Sequence, residues 1–272
     1  MIQSPASWPH GRLSKLKKLR VNYDEDACMA SLARVSASFH LPSLLIFEAE
    51  RIIDEDLYHL QGWTCPMGSS PITTINLLDC AFSLPGLWNF IRSCKRLTSF
   101  TSAFAEYFEV STYSPGDLFE GLTPYELCLK HLVVASVMFT PETRSERCFW
   151  HSFHDFAALK SLEVEEYYLT GNDQVRDYPD YLIESKLLDI LPSSLETLTI
   201  IHCNLWSIPK LLETADTHDY PLLRLKTATI KIRKLSDLQE FDHLQLAFAR
   251  IGVEFRCVYT SAYGFSSSES SE

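Results

Sequence analysis

Short runs of alternating apolar and polar residues recur along the 272-residue chain, each introduced by a large apolar residue three positions upstream. The clearest is residues 195–205, L-E-T-L-T-I-I-H-C-N-L, where Thr197 and Thr199 flank Leu198; Glu163 and Glu165 flank Val164 in the same way. Period two over so few residues predicts a strand with one buried face. Residues 72–82, I-T-T-I-N-L-L-D-C-A-F, repeat the arrangement and place Cys80 where the first run has Cys203. Between such runs the apolar spacing becomes helical, in Cys28, Leu32, Val35 and Phe39, in Leu84, Leu87, Trp88 and Ile91, and in Leu182, Ile183, Leu187 and Leu188. Each unit therefore reads as a strand followed by a helix or loose turn.

These runs match the leucine-rich-repeat unit L-x-x-L-x-L-x-x-N/C-x-L. Aligned to it, the chain yields nine units, beginning at Leu16, Leu44, Ile72, Leu97, Leu129, Leu159, Leu195, Leu225 and Phe248, 23 to 36 residues apart. Parallel strands joined by bulkier crossovers bend into an arc. The expected fold is α/β: a leucine-rich-repeat solenoid, or horseshoe, with parallel strands on the concave face and helices or loops on the convex face. Residues 13–259 form the repeat domain, with the last strand at 251–259. Residues 1–12 are an N-terminal extension, and the serine- and glutamate-rich residues 260–272 are read as a disordered tail. In that tail Ser266, three residues before Glu269, offers an acidic context for a kinase. A doubly wound nucleotide-binding fold needs a glycine-rich first turn. No two of the nine glycines lie within two residues of each other, so neither G-x-G-x-x-G nor a P-loop can be written.

Composition narrows the partners. A net charge of −11 and a pI near 5.3 disfavour nucleic acid and anionic membrane. The eight cysteines form no C-x-x-C pair, and the N-terminus has five Lys/Arg in its first 20 residues without an apolar core. Reduced thiols in the cytoplasm or nucleus are the expectation. The longest apolar run, residues 132–139, is far short of the ~20 residues of a membrane span.

The string L-P-S-S-L-E-T-L-x-I-x-x-C at residues 191–203, L-P-S-L at 41–44 and Y-P-L-L-R-L at 220–225, with repeats of irregular length, resembles the leucine-rich-repeat portion of fungal F-box proteins. The resemblance implies an adaptor whose F-box holds a cullin-RING ubiquitin ligase while the repeats hold a substrate. The F-box opening L-P-x-E-[IL] is not found in the first 40 residues. A free-standing repeat scaffold or regulator is the alternative.

Enzyme-like chemistry is thin. Residues 148–155, C-F-W-H-S-F-H-D, put a thiol and imidazoles three residues apart, but on a helix Cys148 and His154 point about 240° apart. Phe149, Trp150, Phe153 and Phe156 are better read as the packing face of a helix beneath the strand that starts at Leu159. Cys80 and Cys203 occupy a slot where a thiol meets backbone as the strand turns away. No G-x-S-x-G is present. The expectation is no enzyme, no metal and no cofactor.

The functional signal lies on outward strand positions, the third, fifth, seventh and eighth of each unit. These carry Lys18, Arg20 and Tyr23; Glu48, Glu50 and Arg51; Asn76 and Asp79; Phe104; His131; Glu163, Glu165 and Glu166; His202; and Lys231. An apolar centre around Phe104 and Val133 between charged flanks has the core-and-rim layout of a protein-binding site. A monomer binding protein partners on this face is expected, with cullin-RING ligase components among the candidates.

Overall fold

A computed structural model describes residues 13–22, 30–31, 35–53, 63–80, 82–104, 115–136, 152–170, 190–201, 224–232 and 238–259. Nine strands form one parallel sheet. In order across it they are β1 (Lys18–Asn22), β3 (Ile46–Glu50), β5 (Thr74–Leu78), β6 (Ser99–Phe104), β7 (His131–Ser136), β8 (Ser161–Glu165), β9 (Thr197–Ile201), β10 (Thr227–Ile232) and β11 (Glu254–Tyr259). A second, two-stranded parallel sheet pairs β2 (Ala30–Ser31) with β4 (Ile52–Ile53).

Register aligns the repeats residue for residue. The fourth position runs across the sheet as Leu19, Phe47, Ile75, Phe100, Leu132, Leu162, Leu198, Ala228 and Phe255. A slip of one residue in any strand of this sheet between β1 and β11 would turn its buried set to water, so burial locks the register. The first eight units start where the periodicity places them. The ninth does not.

F-A-R-I-G-V at residues 248–253 imitates the repeat start, but Phe248 lies in a helix and the strand begins at Glu254. Gly252 explains the offset. Its φ of 75° ends the helix in a Schellman turn, with Val253 N–H donating to Phe248 O at 3.0 Å and Gly252 N–H to Ala249 O at 3.1 Å. Position four of the last repeat is therefore Phe255 rather than Ile251, and Arg256 faces outward instead of filling the Cys slot.

Four α-helices lie among the described residues: α1 (Leu84–Arg92), α2 (Pro115–Leu122), α3 (Glu166–Thr170) and α4 (Leu238–Arg250). The helical spacing at Leu84 to Ile91 is realised as α1. Val35 and Phe39 enter a helical turn continued by a 3-10 segment, Ala37–His40. Ser83 caps α1, its Oγ accepting from Gly86 N at 3.1 Å, and Pro85 suits the first turn because no partner is needed for its missing N–H. Trp88 Nε1 donates to Asp117 O at 2.8 Å, joining α1 to α2. Gly121 permits their approach, since a Cβ there would sit 3.0 Å from Trp88 Cδ1.

The core lies beneath the sheet. Phe39, Phe47, Phe82 and Phe90 are fully buried, with Phe39 and Phe90 centroids 4.8 Å apart. Phe153 and Phe156 are also fully buried, yet residues 152–158 form turns rather than the expected helix. Phe153 N–H donates to Ile190 O of the next repeat, which the helix would have claimed for itself. Among the described residues no helix is long and apolar enough to cross a membrane. The expected extension at 1–12, the tail at 260–272 and the helical spacing at Leu182 to Leu188 lie outside the described residues.

Candidate functional site

Alternation makes the concave surface from positions three and five. Across the sheet position three reads Lys18, Ile46, Thr74, Ser99, His131, Ser161, Thr197, Thr227 and Glu254. Position five reads Arg20, Glu48, Asn76, Thr101, Val133, Glu163, Thr199, Thr229 and Arg256. The middle of both rows is uncharged and rich in hydroxyls. His131 is exposed there, and Ser99, Thr101 and Val133 are half-buried.

Charges at the flanks pair with each other. Lys18 Nζ meets Glu48 Oε1 at 2.9 Å, and Arg20 Nη2 reaches Glu50 Oε2 at 3.5 Å. Asn76 Nδ2 donates to Glu48 Oε1 at 3.3 Å, extending this group into the third repeat. On the other flank Lys231 Nζ pairs with Glu163 Oε1. Sequence reasoning put these residues on one face without showing their mutual neutralisation, because the partners come from different repeats.

Positions seven and eight depart from expectation. Glu165 and Glu166 were expected to project outward, yet they are only 6% and 7% exposed. Glu165 ends β8 and Glu166 begins α3, so both lie where the chain leaves the strand for the helix. At position seven Ala103, Ala135 and Ile201 form a small buried apolar cluster apart from the main core. Arg51 and Asp79, at position eight, adopt left-handed backbone with φ of 59° and 53°. Their N–H groups bond the adjacent repeat, Arg51 to Leu78 O at 2.9 Å and Asp79 to Ala103 O at 2.8 Å. They are corners where the strand turns away. Phe104 pairs with Ser136 at the end of β6. Tyr23 and His202 lie outside the described residues.

The Cys slot is structural. Cys80 is buried, its Sγ 3.3 Å from Leu78 O and 3.7 Å from Ala49 O in the preceding repeat. Burial pushes the thiol up to about 12, which removes the thiolate a nucleophile needs. Ile52 fills the equivalent slot one repeat earlier and is fully buried. Cys203, Cys148 and His151 lie outside the described residues; His154 is exposed beside Asp155, Nδ1 to Oδ1 3.8 Å.

The hydroxyl stripe was missed by sequence reasoning. Reading the same position down successive repeats, instead of along each strand, is the signal that finds it.

Nine parallel strands sharing one register, an apolar row that is buried under the seven inner strands and half-buried under the two at the ends, and a thiol bridging two repeats at the strand end define the architecture. A family profile described as a leucine-rich repeat domain matches residues 7–216. The chain belongs to the leucine-rich repeat family. No curated protein and no solved structure matches it. Leucine-rich repeat domains are typically non-enzymatic modules for protein–protein interaction. The profile match does not extend to an F-box, a ubiquitin ligase or a fungal source.

Proposed function

We propose that the chain is a protein-binding module whose contact surface is the uncharged centre of the concave sheet, around Ser99, Thr101, His131 and Val133. One observation carries the reading: the flanking charges are satisfied by one another, while the centre presents hydroxyls and a half-buried valine. Such a centre loses little on desolvation, and the flanks form a polar rim. The test compares partners captured from native cells by the wild-type chain and by a Thr101→Arg/Val133→Arg variant. Loss of the captured proteins from the variant supports the reading; an unchanged set refutes it.

The finer reading is that these repeats select substrates for a ubiquitin ligase. It rests on the resemblance of residues 191–203 to the repeats of F-box proteins. Co-purification of a cullin and its F-box linker subunit is the expected result, and their absence leaves a free-standing scaffold or regulator. We place the protein as a monomer in the cytoplasm or nucleus, and size-exclusion chromatography and imaging of a tagged chain check both.

A further inference from the structure

The first apolar residue is buried in repeats two to eight and half-buried, as Leu16, in the first; the residues on either side of it, positions zero and two, line the edge of the sheet where the strands begin. Position two is fixed there by hydrogen bonding: the carbonyls of Lys17, Leu45, Thr73, Thr98, Lys130, Lys160, Glu196 and Lys226 each accept an N–H from the next repeat. Around the sheet, positions zero and two hold the cations Lys15, Lys17, Arg96, Lys130, Lys160, Arg224 and Lys226, all exposed, and Glu196 as their one acid. Lys160 and Lys226 both bind Glu196, at 2.9 and 2.6 Å. The other five make no ion pair among the described residues. In a chain of net charge −11 this edge is a basic row, and by register it is continuous with the hydroxyl stripe at position three.

We infer that this row docks an acidic, extended segment of a protein partner, an assignment that rests on the reading of the chain as a protein-binding module. Strands about 4.8 Å apart place the row from β1 to β10 over roughly 34 Å, the reach of about ten extended residues. Carboxylates of such a segment meet the lysines, and its amides meet the hydroxyls of Ser99, Ser161 and Thr197 alongside. A nucleic acid fits less well. Its dense phosphate charge is felt over a Debye length of about 8 Å, where the remainder of this acidic chain repels it, and the row supplies no aromatic platform for bases.

The test is fluorescence anisotropy with the full chain and a labelled peptide of about 12 residues alternating glutamate and serine, long enough to span the row. Binding that weakens steeply with salt is expected. The Lys17→Glu/Arg96→Glu/Lys130→Glu variant breaks no ion pair among the described residues and should lose affinity at least tenfold. Arg96→Lys and Lys130→Arg should retain it, and circular dichroism verifies the fold of each. No measurable binding, or equal binding by the charge-reversed variant, overturns the inference. So does a single-stranded oligothymidine of the same charge binding as tightly, since the row would then be a general polyanion site. Each of these results leaves the capture experiment with Thr101→Arg/Val133→Arg to stand or fall separately.

Discussion

Lys231 and Glu163 lie on strands that are not neighbours, yet Lys231 Nζ meets Glu163 Oε1 at 2.5 Å across β9 between them. Beneath this span Thr199 and Ile201 are buried. Both charged side chains are less than a third exposed, so the pair is shielded more than an ordinary surface bridge. A double-mutant cycle with Lys231→Ala and Glu163→Ala, read by urea unfolding, should give a coupling of about 1 kcal/mol. Additive single mutants would show that the bridge holds nothing.

Glu196 is held by Lys160 and Lys226 from the repeats on either side, and their hydrogen bonds draw its carboxyl down to about 2 from the usual 4.5. Because the folded value is the lower one, the contribution to stability is present above 4.5 and is lost as pH falls toward 2. Carboxyl-carbon NMR should place the Glu196 midpoint below that of an isolated glutamate. Lys160→Ala should move it up, and so should salt, since both lysines that hold it are exposed.

Cys80 offers a chemical probe of repeat stacking. Its sulfur is enclosed between two repeats and its thiol stays protonated at neutral pH, so maleimide should label it only through unfolding. Mass spectrometry of the native protein should find Cys80 unmodified, with labelling complete in denaturing urea. Rapid native labelling would mean that the third repeat opens.

Gly252→Ala tests the turn that sets the final strand. A Cβ at this position meets nothing within 4 Å, so the whole cost is that of holding a side-chain-bearing residue at φ 75°. The expected loss is about 1 kcal/mol, measured by urea or thermal unfolding. A neutral substitution would show that the helix end tolerates another backbone path.

Much of the sheet was legible in the chain because a parallel repeat reuses the same positions. Leu132, Leu162 and Leu198 are interchangeable in role, and their spacing alone puts them in one buried row. The ninth repeat misled because Phe248 and Ile251 satisfy the motif while belonging to a helix and its terminal turn; only the left-handed Gly252 separates the two. Glu165 and Glu166 misled for a different reason. Alternation tells which side of a strand a residue faces, and says nothing of burial at a strand end, where β8 passes straight into α3. The basic row escaped notice because Lys130, Lys160 and Lys226 are ordinary turn residues until register brings them into line.

The backbone of every strand in this sheet hydrogen-bonds only to its neighbours, and β1 and β11 stand at opposite ends of the row. Tension applied between Lys18 and Tyr259 therefore runs along the row of strands, parallel to the hydrogen bonds and across the strand direction. Bonds loaded this way part in succession like a zipper, whereas strands pulled along their length must yield together. The molecule is thus soft to stretching, paying out chain one repeat at a time, so a partner bound across several repeats would act as a mechanical splint.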